Sequence, residues 1–287
     1  MRILFIKSGV HHKNLNFIMK CKKIQFHIVN SVNEINNLDL TTFDAVISPC
    51  DPINVTKYPN VKFIFGPHFS VFPDAKLNII KGPKTAYNLL SEWVINIWKA
   101  YPICNDLNLV KIPFGVDTDK FIDNKNIKDR NKIMIYCKHR NPQDLLFIEK
   151  FLNNRDLKYS VFSYDKRYNE NDYINYLQDS KFCIWVDAHE SQGFAVQEAL
   201  SCNVPLLVWN ITSMNQEYGR NYQDLKATTI SYWDNKCGEV FYNENQFENT
   251  FNKFIENIER YKPRQFILDV LSIDACENRL IQFINNM

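Results

Sequence analysis

Two glutamates, Glu190 and Glu198, lie eight positions apart around a glycine in the stretch His189-Glu190-Ser191-Gln192-Gly193-Phe194-Ala195-Val196-Gln197-Glu198-Ala199-Leu200. Carboxylates accept hydrogen bonds from hydroxyl-rich groups. A glycine lets the backbone come close to a ligand. The apolar, β-branched and aromatic runs at 182–186 and 204–209 predict buried strands, and the segment between them predicts a helix. The amides from about Gly193 to Val196 then form the positive end of that helix, which suits an anion such as a diphosphate. Glu190 lies in the turn leaving the first strand and Glu198 about two turns further on, so both can face one ligand. Amides for a diphosphate, with carboxylates for flanking hydroxyls, make a nucleotide-sugar site in outline. A generic doubly wound domain with solvated glutamates meets the same spacing, and two glutamates eight apart are common by chance.

The elements that must position these groups alternate along the whole chain. Strands are predicted over residues 2–7, 23–30, 43–48, 61–65 and 109–112, with a weaker candidate over 85–90. The first ends at Ser8-Gly9, where a strand-to-helix turn approaches a ligand. About fifteen residues of helix follow it, and Ser91 caps a helix over 92–100. In the second half, strands are predicted over 132–137, 159–162 and 228–233, and helices over 144–151, 173–178 and 244–261. Pro263 is read as ending the last of these, with one or two further helices over 267–284. Such alternation makes this an α/β chain with parallel sheets and helices on both faces.

Length and composition narrow the function classes. A chain of 287 residues suffices for two compact domains. A net charge of +2 gives no footprint for nucleic acid, which needs a clustered basic face. Eight cysteines stand singly, with no CxxC pair, and several fall inside apolar runs; this argues against a zinc site and for a reducing, cytoplasmic setting. The N-terminal apolar run is too short for a signal peptide, and no run approaches a transmembrane span. Peripheral membrane contact stays open. No metal is expected, and the only cofactor-like ligand is the sugar-nucleotide donor itself.

The stretch Glu190–Ala199 followed by Pro205 resembles the E-x7-E signature of retaining glycosyltransferases with the GT-B fold, the family 4 group. Residues 111–121, Lys-Ile-Pro-Phe-Gly-Val-Asp-Thr-Asp-Lys-Phe, are similar to that family's I-P-N-G-V-D-x-x-x-F segment, with Phe114 in place of Asn. Ser91-Glu92 resembles the pair that opens the helix before it. The resemblance implies two Rossmann-like domains with a cleft between them: 1–116 on the acceptor side and 117–265 for the nucleotide sugar. A tail at 266–287 would return to the first domain. It further implies basic residues at the end of strand 132–137 that hold the donor diphosphate. Lys138 occupies the first such position; no base lies near Gln143-Asp144, so Arg140 is taken as the substitute. By the same resemblance Tyr164 stands in the loop that holds the nucleobase, and His68 near the transferred sugar. Glu190 would meet sugar hydroxyls and Glu198 the ribose. The implied donor-binding set is Ser8, Gly9, Lys138, Arg140, Tyr164, Glu190, Gln192, Gly193, Phe194, Ala195 and Glu198, and the implied catalytic set Glu190, Lys138, Arg140 and His68. The chain departs from the pattern at Asn203, where the family has Gly, at the single Gly9, and in a short first domain.

The resulting expectation is a retaining, metal-independent transferase moving a sugar from a nucleoside-diphosphate sugar to a hydroxyl acceptor, which is a glycan, a lipid or a small molecule. A nucleotide-sugar epimerase or phosphorylase-like enzyme is a second reading. A sugar-nucleotide or glycan-binding protein without turnover is a third.

Overall fold

The computed structural model describes residues 1–68, 70–73, 79–166 and 168–287, which fall into two compact units. Unit 1 comprises Met1–Gly115 and Leu271–Met287, and unit 2 comprises Val116–Val270.

Unit 1 carries β1 (Arg2–Ile6), α1 (His12–Lys20), β2 (Gln25–Val29), β3 (Ala45–Ser48), β4 (Phe63–Phe65), β5 (Thr85–Asn88), α2 (Glu92–Lys99) and β6 (Leu109–Val110). Its strands form one parallel sheet in the order β2-β1-β3-β4-β5-β6. Ile3 to Ile6 are all fully buried, as a central parallel strand covered on both faces requires.

Unit 2 carries β7 (Lys132–Lys138), α3 (Pro142–Asn153), β8 (Ser160–Ser163), α4 (Glu170–Asp179), β9 (Ser180–Asp187), α5 (Phe194–Ser201), β10 (Leu206–Trp209), β11 (Gly238–Phe241), α6 (Glu244–Glu256) and α7 (Pro263–Val270). The sheet order is β11-β10-β9-β7-β8, again parallel throughout. The last helix, α8 (Ile273–Asn286), belongs to unit 1.

Three expectations need correction. Residues 228–233 form no strand; Thr229 is buried and its hydroxyl donates to the Asp187 carbonyl, while its amide donates to Asn210 Oδ1. The run therefore braces loops, and β11 takes the sheet edge. Pro263 opens α7 rather than closing α6, the position where its missing N–H is harmless. α1 spans nine residues, shorter than expected.

Alternation along β7 and β9 sorts their side chains onto two faces. Ile133, Ile135, Phe182, Ile184 and Val186 join the core that includes Ile148 and Leu152 of α3 and Phe247 and Phe251 of α6. The opposite face carries Tyr136 stacked on Trp185, at 4.1 Å between ring centroids, and one step further Lys138 paired in register with Asp187. Charge thus appears where the strands run out.

Candidate active site

In an open parallel sheet, ligands collect at the carboxyl ends of the strands where strand order reverses. In unit 2 that point lies between β7 and β9. β7 ends at Lys138 and β9 at Asp187, followed within three residues by Glu190. Lys138 Nζ is ion-paired with Glu190 Oε1 and lies 4.9 Å from the ring centroid of Tyr164, which is half exposed. Burial alone would lower the lysine pKa, but Glu190 and then Asp187 outweigh it and the net shift is upward. Lys138 is therefore a fixed cation.

Glu190 is set by its backbone. Its amide donates to the Thr228 carbonyl at 3.0 Å, and its own carbonyl accepts from the Ser231 hydroxyl at 2.5 Å. Three residues on, Gly193 adopts a left-handed conformation (φ 78°) and caps α5. Gln192 and Gln197 lock that start: Gln192 Nε2 donates to Gln197 Oε1, and Gln197 Nε2 donates to the Gln192 carbonyl. Phe194 and Ala195 are half-buried at the helix start, where the first-turn amides form the positive end of α5.

The structure relocates several expected groups. The Arg140 side chain is buried; its Nε and Nη2 bond Asp144 at 2.9 and 2.8 Å, and Nη1 donates to the carbonyls of Asp187 and Trp209. That guanidinium ties α3 to the ends of β9 and β10, and these bonds are what the structure gives it in place of the expected diphosphate contact. Glu198 is 2 % exposed, in the electrostatic neighbourhood of Tyr168 and Tyr173. The Gln192 side chain is committed to the helix start.

Ser8, Gly9 and His68 lie in unit 1. The Ser8 hydroxyl donates to Asp51 Oδ1 at 3.3 Å across that sheet's own reversal point, between β1 and β3, and Gly9 is left-handed (φ 66°). The His68 ring stacks on Trp98 (centroids 5.7 Å, planes 2° apart), and its Nε2 is buried with no hydrogen-bond partner among the described residues. Burial pushes its pKa down to about 4, so the imidazole is neutral near pH 7 and is first a packing group of unit 1.

Two features were not visible in the spacing. Asp187 is 1 % exposed, and burial first, then Glu190, drive its carboxyl well above the usual carboxylate range despite the opposing pull of Lys138. Glu217, from the segment after β10, lies 3.1 Å from His189 Nδ1 and 3.4 Å from His139 Nδ1, while His139 Nε2 reaches Asp165 at 2.9 Å. These groups come from separate loops, and only the fold brings them together. Among the described residues no cluster of His, Cys, Asp and Glu could hold a metal ion. No described helix is long and apolar enough to cross a membrane.

No family model matches the chain, and no curated protein does. Solved structures do. A sucrose-phosphate synthase from Thermosynechococcus elongatus aligns over 100% of this chain and 98% of its own at a TM-score of 0.54 and 7% identity. The GtfA/B complex aligns over 88% of this chain and 58% of its own, with a TM-score of 0.53 and 12% identity. Likeness at such identity shows the fold, which is GT-B.

Proposed function

We propose that the chain is a retaining, metal-independent glycosyltransferase that moves a sugar from a nucleoside-diphosphate sugar to a hydroxyl acceptor. The observation that carries this reading is the meeting of Lys138, Glu190 and the start of α5 at the strand-order reversal of unit 2. The donor diphosphate would lie on the first-turn amides of α5 and take Lys138 as counter-ion. Glu190, released from Lys138, would accept hydrogen bonds from donor-sugar hydroxyls. Negative charge then builds on the leaving diphosphate as the sugar–oxygen bond breaks, and preorganised donors stabilise it there. In a front-face displacement the acceptor oxygen bonds the anomeric carbon while its proton passes to the departing phosphate. Tyr164, half exposed beside Lys138, is the aromatic surface available to the nucleobase. Cysteines standing singly in the sequence, with no CxxC pair, fit a reducing, cytoplasmic setting.

Incubation with UDP-, GDP- and ADP-sugars tests this. Transfer, or slow donor hydrolysis, that persists in EDTA supports it. Complete loss on chelation, restored by magnesium or manganese, contradicts the mechanism. Donor isomerisation would indicate an epimerase, and binding without turnover a sugar-nucleotide-binding protein.

A further inference from the structure

Asp187 stands at the end of β9 in register with Lys138, on the sheet face that ends in the proposed donor site. Its side chain is enclosed, and neither carboxyl oxygen makes a well-formed hydrogen bond with a donor among the described residues; the adjacent Ala188 N–H donates to the Lys138 carbonyl at 3.1 Å. The cation beside it, Lys138, is engaged by Glu190, and the nearest guanidinium, Arg140, is engaged by Asp144 and bonds only the Asp187 carbonyl. Two carboxyls therefore share one available ammonium. If both were ionised, a site meant for a diphosphate would be net negative before its ligand arrived. An enclosed carboxylate without donors is also far costlier than a neutral acid, which buries as an ordinary polar group.

We propose that Asp187 is a positioning residue of the donor site: a neutral carboxylic acid whose O–H donates to the Glu190 carboxylate and holds it in place when Lys138 turns to a diphosphate. The inference rests on the donor-site reading above. No bond to the ligand is involved, and the proton stays on the pair of carboxyls. With the acid neutral, Lys138 and Glu190 balance, and the arriving anion takes the lysine while Glu190 keeps a donor. The upward shift of the Asp187 carboxyl, driven first by burial and raised further by Glu190, has the same direction. The other titratable groups facing it are Tyr136 and Cys137 of β7 and Tyr168 before α4. All three are shifted upward, chiefly by burial, and are neutral near pH 7. Ligand binding thus requires the protonated acid, so affinity falls as rising pH removes that proton.

Wild type, Asp187→Asn and Asp187→Ala are compared by two measurements. Difference infrared spectroscopy of ligand-free wild type against Asp187→Asn at neutral pH should show a protonated carboxyl band that the variant lacks. Calorimetric titration with UDP, GDP and ADP should show the tightest of them weakening toward alkaline pH in wild type. Asp187→Asn keeps a neutral donor, so it should bind within about twofold at pH 7 and lose that alkaline limb. Asp187→Ala should bind roughly tenfold or more weakly, the scale of a lost hydrogen bond to a charged group. An absent carboxyl band, or Asp187→Asn as weak as Asp187→Ala with both folded by thermal melting, overturns the inference while wild-type binding leaves the donor site standing. Failure of wild type to bind any of the three nucleotides overturns the donor site and this role together.

Discussion

A lysine already paired with a carboxylate can serve a phosphate only by exchanging partners, and the partner of Lys138, Glu190, has its side chain beside Gly193 at the start of α5. If its main work is on the leaving group, Lys138→Ala should lower kcat by about a hundred- to a thousandfold with a smaller rise in donor KM. Lys138→Arg should recover part of the loss, since a planar fork imperfectly replaces a point charge. Steady-state kinetics over donor concentration checks both. Arg140→Ala should fail differently. Removing a buried guanidinium strands Asp144 and two carbonyls, so unfolding free energy should drop by about 3–5 kcal/mol in a denaturant titration. Sequence alone could not separate these cations, because both follow the same strand; what differs is which loops fold over them. His68 adds a pH signature. Its pKa falls from the ordinary value near 6.5 to about 4 on folding, so the unfolded chain binds more protons in that interval. From this ring stability is complete above pH 6.5, is lost as pH falls from 6.5 to 4, by about 3 kcal/mol, and levels off below that. His68→Phe keeps an aromatic ring on Trp98 and should flatten that acid limb of a Tm-against-pH curve.

The unit β9–α5–β10 was the most legible element, because buried parallel strands are continuous apolar runs and the glycine between them marks a helix start. Asn203 shows how a departure can be absorbed: it is left-handed (φ 58°), a conformation Asn tolerates, and its amide donates to Asp123 Oδ2 at 2.9 Å. Residues 228–233 misled because β-branched and aromatic residues also suit a buried brace, and hydrogen bonds to Asn210 and Asp187 cannot be read from a local pattern. Helical spacing gives the direction of Glu198 around α5, but its enclosure near Tyr168 and Tyr173 comes from other elements. At α5 the decisive feature is backbone conformation. A methyl at Gly193 would make only ordinary contacts, the nearest being Glu190 Cβ at 3.5 Å, so the cost of Gly193→Ala lies in its left-handed φ. That strain is roughly 1–2 kcal/mol. The variant should melt slightly lower and also bind nucleoside diphosphates more weakly, because relaxing φ turns the first amides away. Unchanged affinity by calorimetry, with the expected loss of stability, would remove the α5 amides from the site.

At the scale of the molecule, the chain leaves unit 1 at Gly115 and re-enters it at Leu271, so unit 1 is complete only when its last seventeen residues fold back onto it. The Pro-Phe-Gly-Val-Asp segment has a physical reason here. A Cβ on Gly115 would lie 2.4 Å from Ile273 Cα, so only glycine lets the outgoing and returning strands of chain pass. One buried side chain of α8 reaches the turn between α1 and β2. Glu277, 1 % exposed, accepts the backbone N–H groups of Lys22, Lys23 and Ile24 at 3.2, 2.6 and 2.8 Å, closing the turn between α1 and β2. Nothing in the sequence announces this, since the partners are more than 250 positions apart and the donors are main-chain. Glu277→Ala would leave three donors without their acceptor and a space beneath α8. A charge-assisted hydrogen bond contributes about 1.5–3 kcal/mol, and the three share one carboxylate, so a loss of roughly 3 kcal/mol is expected. Hydrogen exchange gives the local reading: the amides of Lys22 to Ile24 and of α8 should lose protection together, while β7 and β9 of unit 2 keep theirs. Glu277→Gln, which retains one acceptor oxygen, should fall between. If Glu277→Ala instead leaves α8 as protected as in the wild type, apolar burial of Cys276, Leu280 and Ile284 is what holds the returning helix, and the carboxylate merely finishes the turn.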